Sequence, residues 1–174
     1  MKGAEMYEIG DLIMYGARGV CRVKGITELD WDAAKRREYY VLEPLYKDDV
    51  IYVPVDNTKV FMRPVMSEQE VLDLIDSMPE VESKVFKASS IQQLARFYQA
   101  AIDSHECREL VKLTKSIHLK KVAADKQNKQ LGQIDIRYMT HAEDLLFGEI
   151  AAVLDIPRDS VVEYIDERLK NREK

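Results

Sequence analysis

The stretch DLIMYGARGVCRVKGIT, Asp11 to Thr27, decides how the first part of this chain folds. Two runs rich in β-branched, aliphatic and aromatic residues, Asp11 to Tyr15 and Val20 to Thr27, flank Gly16-Ala17-Arg18-Gly19. Glycine tolerates the backbone angles of a tight reversal, so the pattern predicts a β-hairpin. Three further runs of the same kind follow, at Glu38 to Leu45, Val50 to Val55 and Val60 to Arg63. Lys47-Asp48-Asp49 and Asp56-Asn57 supply the turns between them. Consecutive strands on short turns make a meander. So few residues cannot build a two-sheet sandwich, which leaves a strongly bent sheet closing into a small five-stranded SH3-like or Tudor-like barrel.

After Pro64 the apolar spacing becomes helical. Capping boxes, in which a Ser or Thr caps the first turn and a Glu or Gln three residues on reaches back, are expected at Ser67/Glu70, Ser90/Gln93, Thr140/Glu143 and Ser160/Glu163. They predict helices over Ser67–Met78, Ser90–Asp103, Ser104–Lys126, Asp135 or Thr140 to Leu154, and Pro157–Lys170. Leu145, Leu146, Glu149, Ile150 and Val153 form a mostly apolar stripe that should pack into a bundle. The expected class is therefore α+β, all-β and then all-α, with one domain over 1–65 and a helical domain over 66–174.

The 174 residues are 46% hydrophobic and 33% charged, an ordinary balance for a globular protein. No apolar run approaches the roughly 20 residues of a membrane span, and the polar, acidic start has no export pattern. Two cysteines, Cys21 and Cys107, with no CxxC pair, fit a reduced cytoplasmic protein. Glycine-rich phosphate loops, a GxSxG elbow and an HExxH pair are all missing, so neither an enzyme, a cofactor nor a small-molecule substrate is expected. His105, His118 and His141 lack ligand spacing, so no metal is expected either. The net charge of -5 excludes binding to nucleic acid by bulk electrostatics; any DNA contact must be local or helped by a partner.

Two surfaces carry interaction signals. On the helix predicted over Ser104–Lys126, a rotation of about 100° per residue puts Arg108, Lys112, Lys115 and Lys126 on one face and Leu110, Leu113, Ile117 and Ala124 opposite. That cationic stripe is either a solvated face or a phosphate contact without base readout. In the barrel, the basic loop Lys35-Arg36-Arg37 leads into Tyr39 and Tyr40, and Tyr52 stands before Pro54. Proline cannot donate to a ladder, so this strand belongs at a sheet edge, either protected or open to another chain's strand. Trp31, the one tryptophan, sits in a polar loop as a contact anchor or as packing over the barrel mouth.

The runs Tyr7 to Gly16, Gly19-Val20, Tyr39 to Leu42 and Tyr52 to Asn57 resemble, in order and spacing, the RNA polymerase interaction module shared by CarD-like bacterial regulators and the transcription-repair coupling factor. Arg96 to Ile102 and Ala142 to Ala151 resemble the helical domain of CarD proteins. The resemblance implies a barrel that binds the RNA polymerase β subunit, partly by strand pairing, with Arg36, Arg37, Tyr39, Ile51, Tyr52, Val53 and Pro54 as its contacts. It further implies a helical domain at promoter DNA that modulates open-complex stability, binding weakly, non-specifically and only with polymerase. There Leu94 occupies the position of a minor-groove tryptophan wedge and is either an apolar wedge or a core leucine, and Arg96, Arg108, Lys112 and Lys115 are the expected phosphate contacts. Nearby positions that are cationic in relatives hold Phe97 and Gln99 here. The absence of a helical-domain tryptophan favours an alternative, in which the helical domain binds another protein and the chain is an adaptor on polymerase.

Overall fold

A computed structural model of the chain describes residues 6–30 and 36–174. It divides into two compact units, Met1–Val65 and Met66–Lys174. Trp31 and Lys35 lie outside the described residues.

The first unit is a five-stranded antiparallel sheet: β1 (Leu12–Tyr15), β2 (Gly19–Glu28), β3 (Glu38–Pro44), β4 (Ile51–Pro54) and β5 (Met62–Pro64). All five predicted strands are present, but the strand order is β4-β3-β2-β1-β5. The meander therefore stops at β4, and the chain then crosses to the far edge to pair β5 with β1, Met14 opposite Arg63. Gly16 makes this crossing possible. Its φ is +48°, its N–H donates to the Phe61 carbonyl at 2.8 Å, and a Cβ there would stand 2.9 Å from Val60 Cγ1.

The sheet curls around one core of Ile13, Cys21, Val23, Tyr40, Leu42 and Val53, helped by an irregularity in the β2–β3 register between Val23 and Gly25. Ile51 and Val55 from one side and Met62 from the other pack against that core. Closure into a barrel, expected from the sequence, does not occur: β4 and β5 are the two edges and do not pair. β5 has three residues, and both edge strands end in proline, so neither offers a run of N–H groups long enough to join the other.

The second unit holds α1 (Glu68–Ser77), α2 (Ile91–Asp103), α3 (Cys107–Lys126), α4 (Gln133–Leu154) and α5 (Val161–Arg172). The Ser67/Glu70 capping box forms in full. At α2, Ser90 caps the Gln93 N–H, while the Gln93 carbonyl accepts from Ser89. Two expected boxes fail. Thr140 lies two turns inside α4, which starts at Gln133 because Ile134 and Tyr138 already face the interior. Ser160 has helical angles and makes no cap. His105, with φ +57°, separates α2 from α3, so α3 starts at Cys107 and not at Ser104. The core comprises Val71 and Ile75, Tyr98 and Ile102, Leu110, Leu113 and Ile117, Leu146 and Ile150, and Val161.

Candidate functional site

β4 has β3 on one side and no strand on the other among the described residues. Val53 pairs with Tyr40, and the Val55 N–H donates to the Glu38 carbonyl at 3.0 Å, so Ile51, Val53 and Val55 turn inward. Tyr52 turns outward and is 46% exposed. Pro54 contributes little to the edge: it has no N–H, and its carbonyl accepts from the Asn57 N–H at 2.9 Å. The exposed apolar surface along this edge is therefore concentrated around Val50 and Tyr52, beside Tyr46 in the β3–β4 turn. Val50 and Tyr46 share a shallow cleft with Lys47, Asp48 and Asp49. Neither was among the expected contacts, although an apolar residue inside a polar turn was the available signal.

Of the seven expected barrel contacts, the structure brings only part to this edge. Arg36 is exposed, in a left-handed turn conformation (φ +45°). Arg37 is half-buried, with its guanidinium on Asp56 at 2.9 Å. Ile51 packs on the core and Pro54 is half-buried. Tyr39 and Val53 must be corrected: both side chains are buried, so they hold the sheet together and present nothing to a partner beyond backbone. Cys21, fully buried, has its thiol pushed up to about 11 by burial first, with Asp49 adding to the rise while the nearby cations Arg18 and Lys47 oppose it.

The cations of α3 are placed differently from the expected stripe. Lys115 donates to the backbone carbonyls of Met78 and Val81, and Lys112 pairs with Glu109 one turn back. Ser116 donates to the Lys84 carbonyl and Ser83 to the Lys112 carbonyl. The bonds of Lys115, Ser116 and Ser83 fasten residues 78–84 along α3. Lys115 is thus a structural tie within the helical unit. Lys120 is also engaged, with Asp135 at 2.8 Å. Arg96 and Arg108 are exposed.

Leu94, 9% exposed, lies on the buried face of α2 with Tyr98 and Ile102. It is a core residue here, the second of its two readings: turning it outward would sacrifice about 1.5–3 kcal/mol of burial. What α2 does expose is Phe97, 43% accessible and stacked on Phe86 with ring centroids 3.8 Å apart. Together with Val85, Ala101 and Leu113, this pair lines a groove of about 260 Å³.

Two carboxylates are buried in the helical unit. Asp135, 2% exposed, accepts from the Tyr98 hydroxyl at 2.7 Å and from Lys120. Burial, and then that hydrogen bond, raise the Tyr98 phenol above its ordinary range. Glu149, fully buried, accepts from the Met66 N–H at 2.9 Å and the Cys107 thiol at 3.5 Å. In the sequence Asp135 looks like a surface acid, whereas Glu149 falls on the stripe expected to pack into the bundle, with no partner for its charge legible there. Among the described residues no group of three or more His, Cys, Asp or Glu is placed to hold a metal ion, and no helix is long and apolar enough to cross a membrane.

Residues 7–66 match the family model described as the CarD-like/TRCF RID domain. No curated protein matches the chain. The matched span covers all five strands and ends at the junction with the helical unit.

Proposed function

We propose that this chain, whose residues 7–66 are a CarD-like/TRCF RID domain, is a bacterial transcription regulator that docks on the RNA polymerase β subunit and carries a helical unit to promoter DNA. It works in the cytoplasm, where polymerase is, and it acts by contact rather than by catalysis. The observation that carries the docking half is the β4 edge inside the matched domain. Val50 and Tyr52 are exposed where strand addition needs them, with the cation Arg36 exposed on the same domain.

The DNA half rests on tethering. The exposed guanidiniums Arg96 and Arg108 would touch phosphates weakly, and a polymerase-bound chain holds them there at an effective concentration of about millimolar. Such contacts at the edge of a melting promoter would modulate open-complex stability. The second reading, an adaptor whose helical unit binds protein and not DNA, is favoured by the inward place of Leu94 and the internal bonds of Lys112 and Lys115.

The test uses the full chain and purified polymerase. Tyr52→Asp and Val50→Asp should each weaken binding to the β subunit at least about tenfold, since each puts a charge into an apolar contact. Arg96→Glu with Arg108→Glu should leave polymerase binding intact and lower open-complex lifetime on promoter DNA. An unchanged lifetime rejects DNA contact in favour of the adaptor; unchanged binding by both edge variants rejects the docking surface.

A further inference from the structure

One face of α3 is covered along half its length. On the N-terminal half, Lys112, Lys115 and Ser116 hold residues 78–84, and Val81 is buried. That covering segment is Met78-Pro79-Glu80-Val81-Glu82: Met78 and Val81 turn inward while Glu80 and Glu82 remain exposed. The same face continues past it through Leu119, Val122, Ala123 and Lys126, since steps of three and four residues stay within one side of a helix. There Leu119 is 44% and Val122 38% exposed. Lys126 and Lys129, at the end of the helix, are exposed and carry no ion pair among the described residues, and Lys121 lies on the flank.

We propose that this distal half of α3 is a second docking surface, taking an acidic segment with interspersed apolar residues on RNA polymerase itself. Two observations select that occupant. One turn away the face already holds an extended segment through its apolar side chains and backbone carbonyls, and the uncovered part pairs apolar groups with Lys121, Lys126 and Lys129, which outnumber the one nearby acid, Asp125. Duplex DNA would meet the lysines and leave Leu119 and Val122 in water. Two large apolar side chains are too few for a free-standing interface, so the contact needs the tether that the N-terminal unit supplies; the inference rests on the docking reading above.

The experiment measures binding of the full chain to polymerase holoenzyme at low and high salt, with a photo-crosslinking residue placed at 119 or, as a control, at 163. Lys126→Glu with Lys129→Glu should weaken binding about three- to tenfold at low salt and much less at high salt, as screened charges do. Leu119→Ser with Val122→Ser should cause a comparable loss that salt does not remove. All four positions are exposed, so an unchanged melting temperature confirms that the fold is intact. The position-119 probe should crosslink to a polymerase polypeptide and the position-163 probe should not. Unaltered affinity in both variants, or a position-119 probe that gives no crosslink to polymerase although the chain is bound, overturns the second surface while leaving the docking reading standing. A wild-type chain that does not bind polymerase overturns both.

Discussion

Removing the Asp135 carboxylate tests the arrangement of the helical unit most directly. Asp135→Ala strands the Tyr98 hydroxyl, which donates to that carboxylate and whose residue is 1% exposed. An unsatisfied buried hydroxyl costs about 1–3 kcal/mol. The same change frees the Lys120 ammonium, whose side chain is one-third exposed, so the loss of that ion pair adds only about 1 kcal/mol. The expected total is about 2–4 kcal/mol. Asp135→Asn keeps an acceptor for Tyr98 while losing the charge, and should cost about 1–2 kcal/mol. Tyr98→Phe combined with Asp135→Ala leaves no stranded hydroxyl, so the pair should cost at least about 1 kcal/mol less than the sum of the singles. Urea unfolding followed by helical circular dichroism measures all four proteins. A loss below about 0.5 kcal/mol for Asp135→Ala, or strict additivity in the double variant, would refute the network, since surface substitutions fall in that range.

Lys115→Met should lower stability by about 1–2 kcal/mol, because two carbonyls lose a charged donor, whereas Arg108→Met should change it by less than about 0.5 kcal/mol; equal effects in thermal melts would contradict the tie. The Arg168 guanidinium holds Asp76 below the usual carboxylate range, so this pair stabilises the fold above that range and the benefit disappears as pH falls through the folded value. Wild type should therefore exceed Asp76→Asn in urea midpoint at pH 7 and converge with it in acid; a gap that persists at low pH would show that the charge is not responsible. Cys21, fully buried with a raised thiol, should resist iodoacetamide at pH 8 in the native state and react once unfolded, as mass spectrometry of the peptide reports. Rapid native labelling of Cys21 would mean that the sheet core is open.

The strands and helices were largely visible in the residue pattern because each is a local event. Alternation and glycine-bounded turns place β1 to β4 within two residues of expectation, and the box at Ser67 starts α1 as read. The Thr140 and Ser160 boxes failed because a cap competes with burial: α4 begins about two turns earlier, where Ile134 and Tyr138 gain apolar contact. Edge placement of β4 was readable from Pro54 alone, since a missing N–H is a property of the residue itself. The candidate contacts were less legible. Alternation tells which residues share a face but not which face is covered, and the contacts that the resemblance implies take in Tyr39 and Val53 as well as Tyr52, although only Tyr52 is exposed.

By itself the sequence determined the α+β class, the five strands, the change of period after Pro64 and the likeness of its first third to a polymerase-binding module. These depend on neighbours within a turn or a hairpin, where covalent geometry and solvent set the outcome. Only the tertiary structure decided that β5 leaves the meander to pair with β1, that Leu94 faces inward and that Lys112, Lys115 and Lys120 are engaged with this chain. A lysine is cationic wherever it stands, but whether its charge is offered to a partner depends on which carbonyl or carboxylate folding brings within 3 Å, and those groups lie 15 to 37 residues away for Lys120 and Lys115.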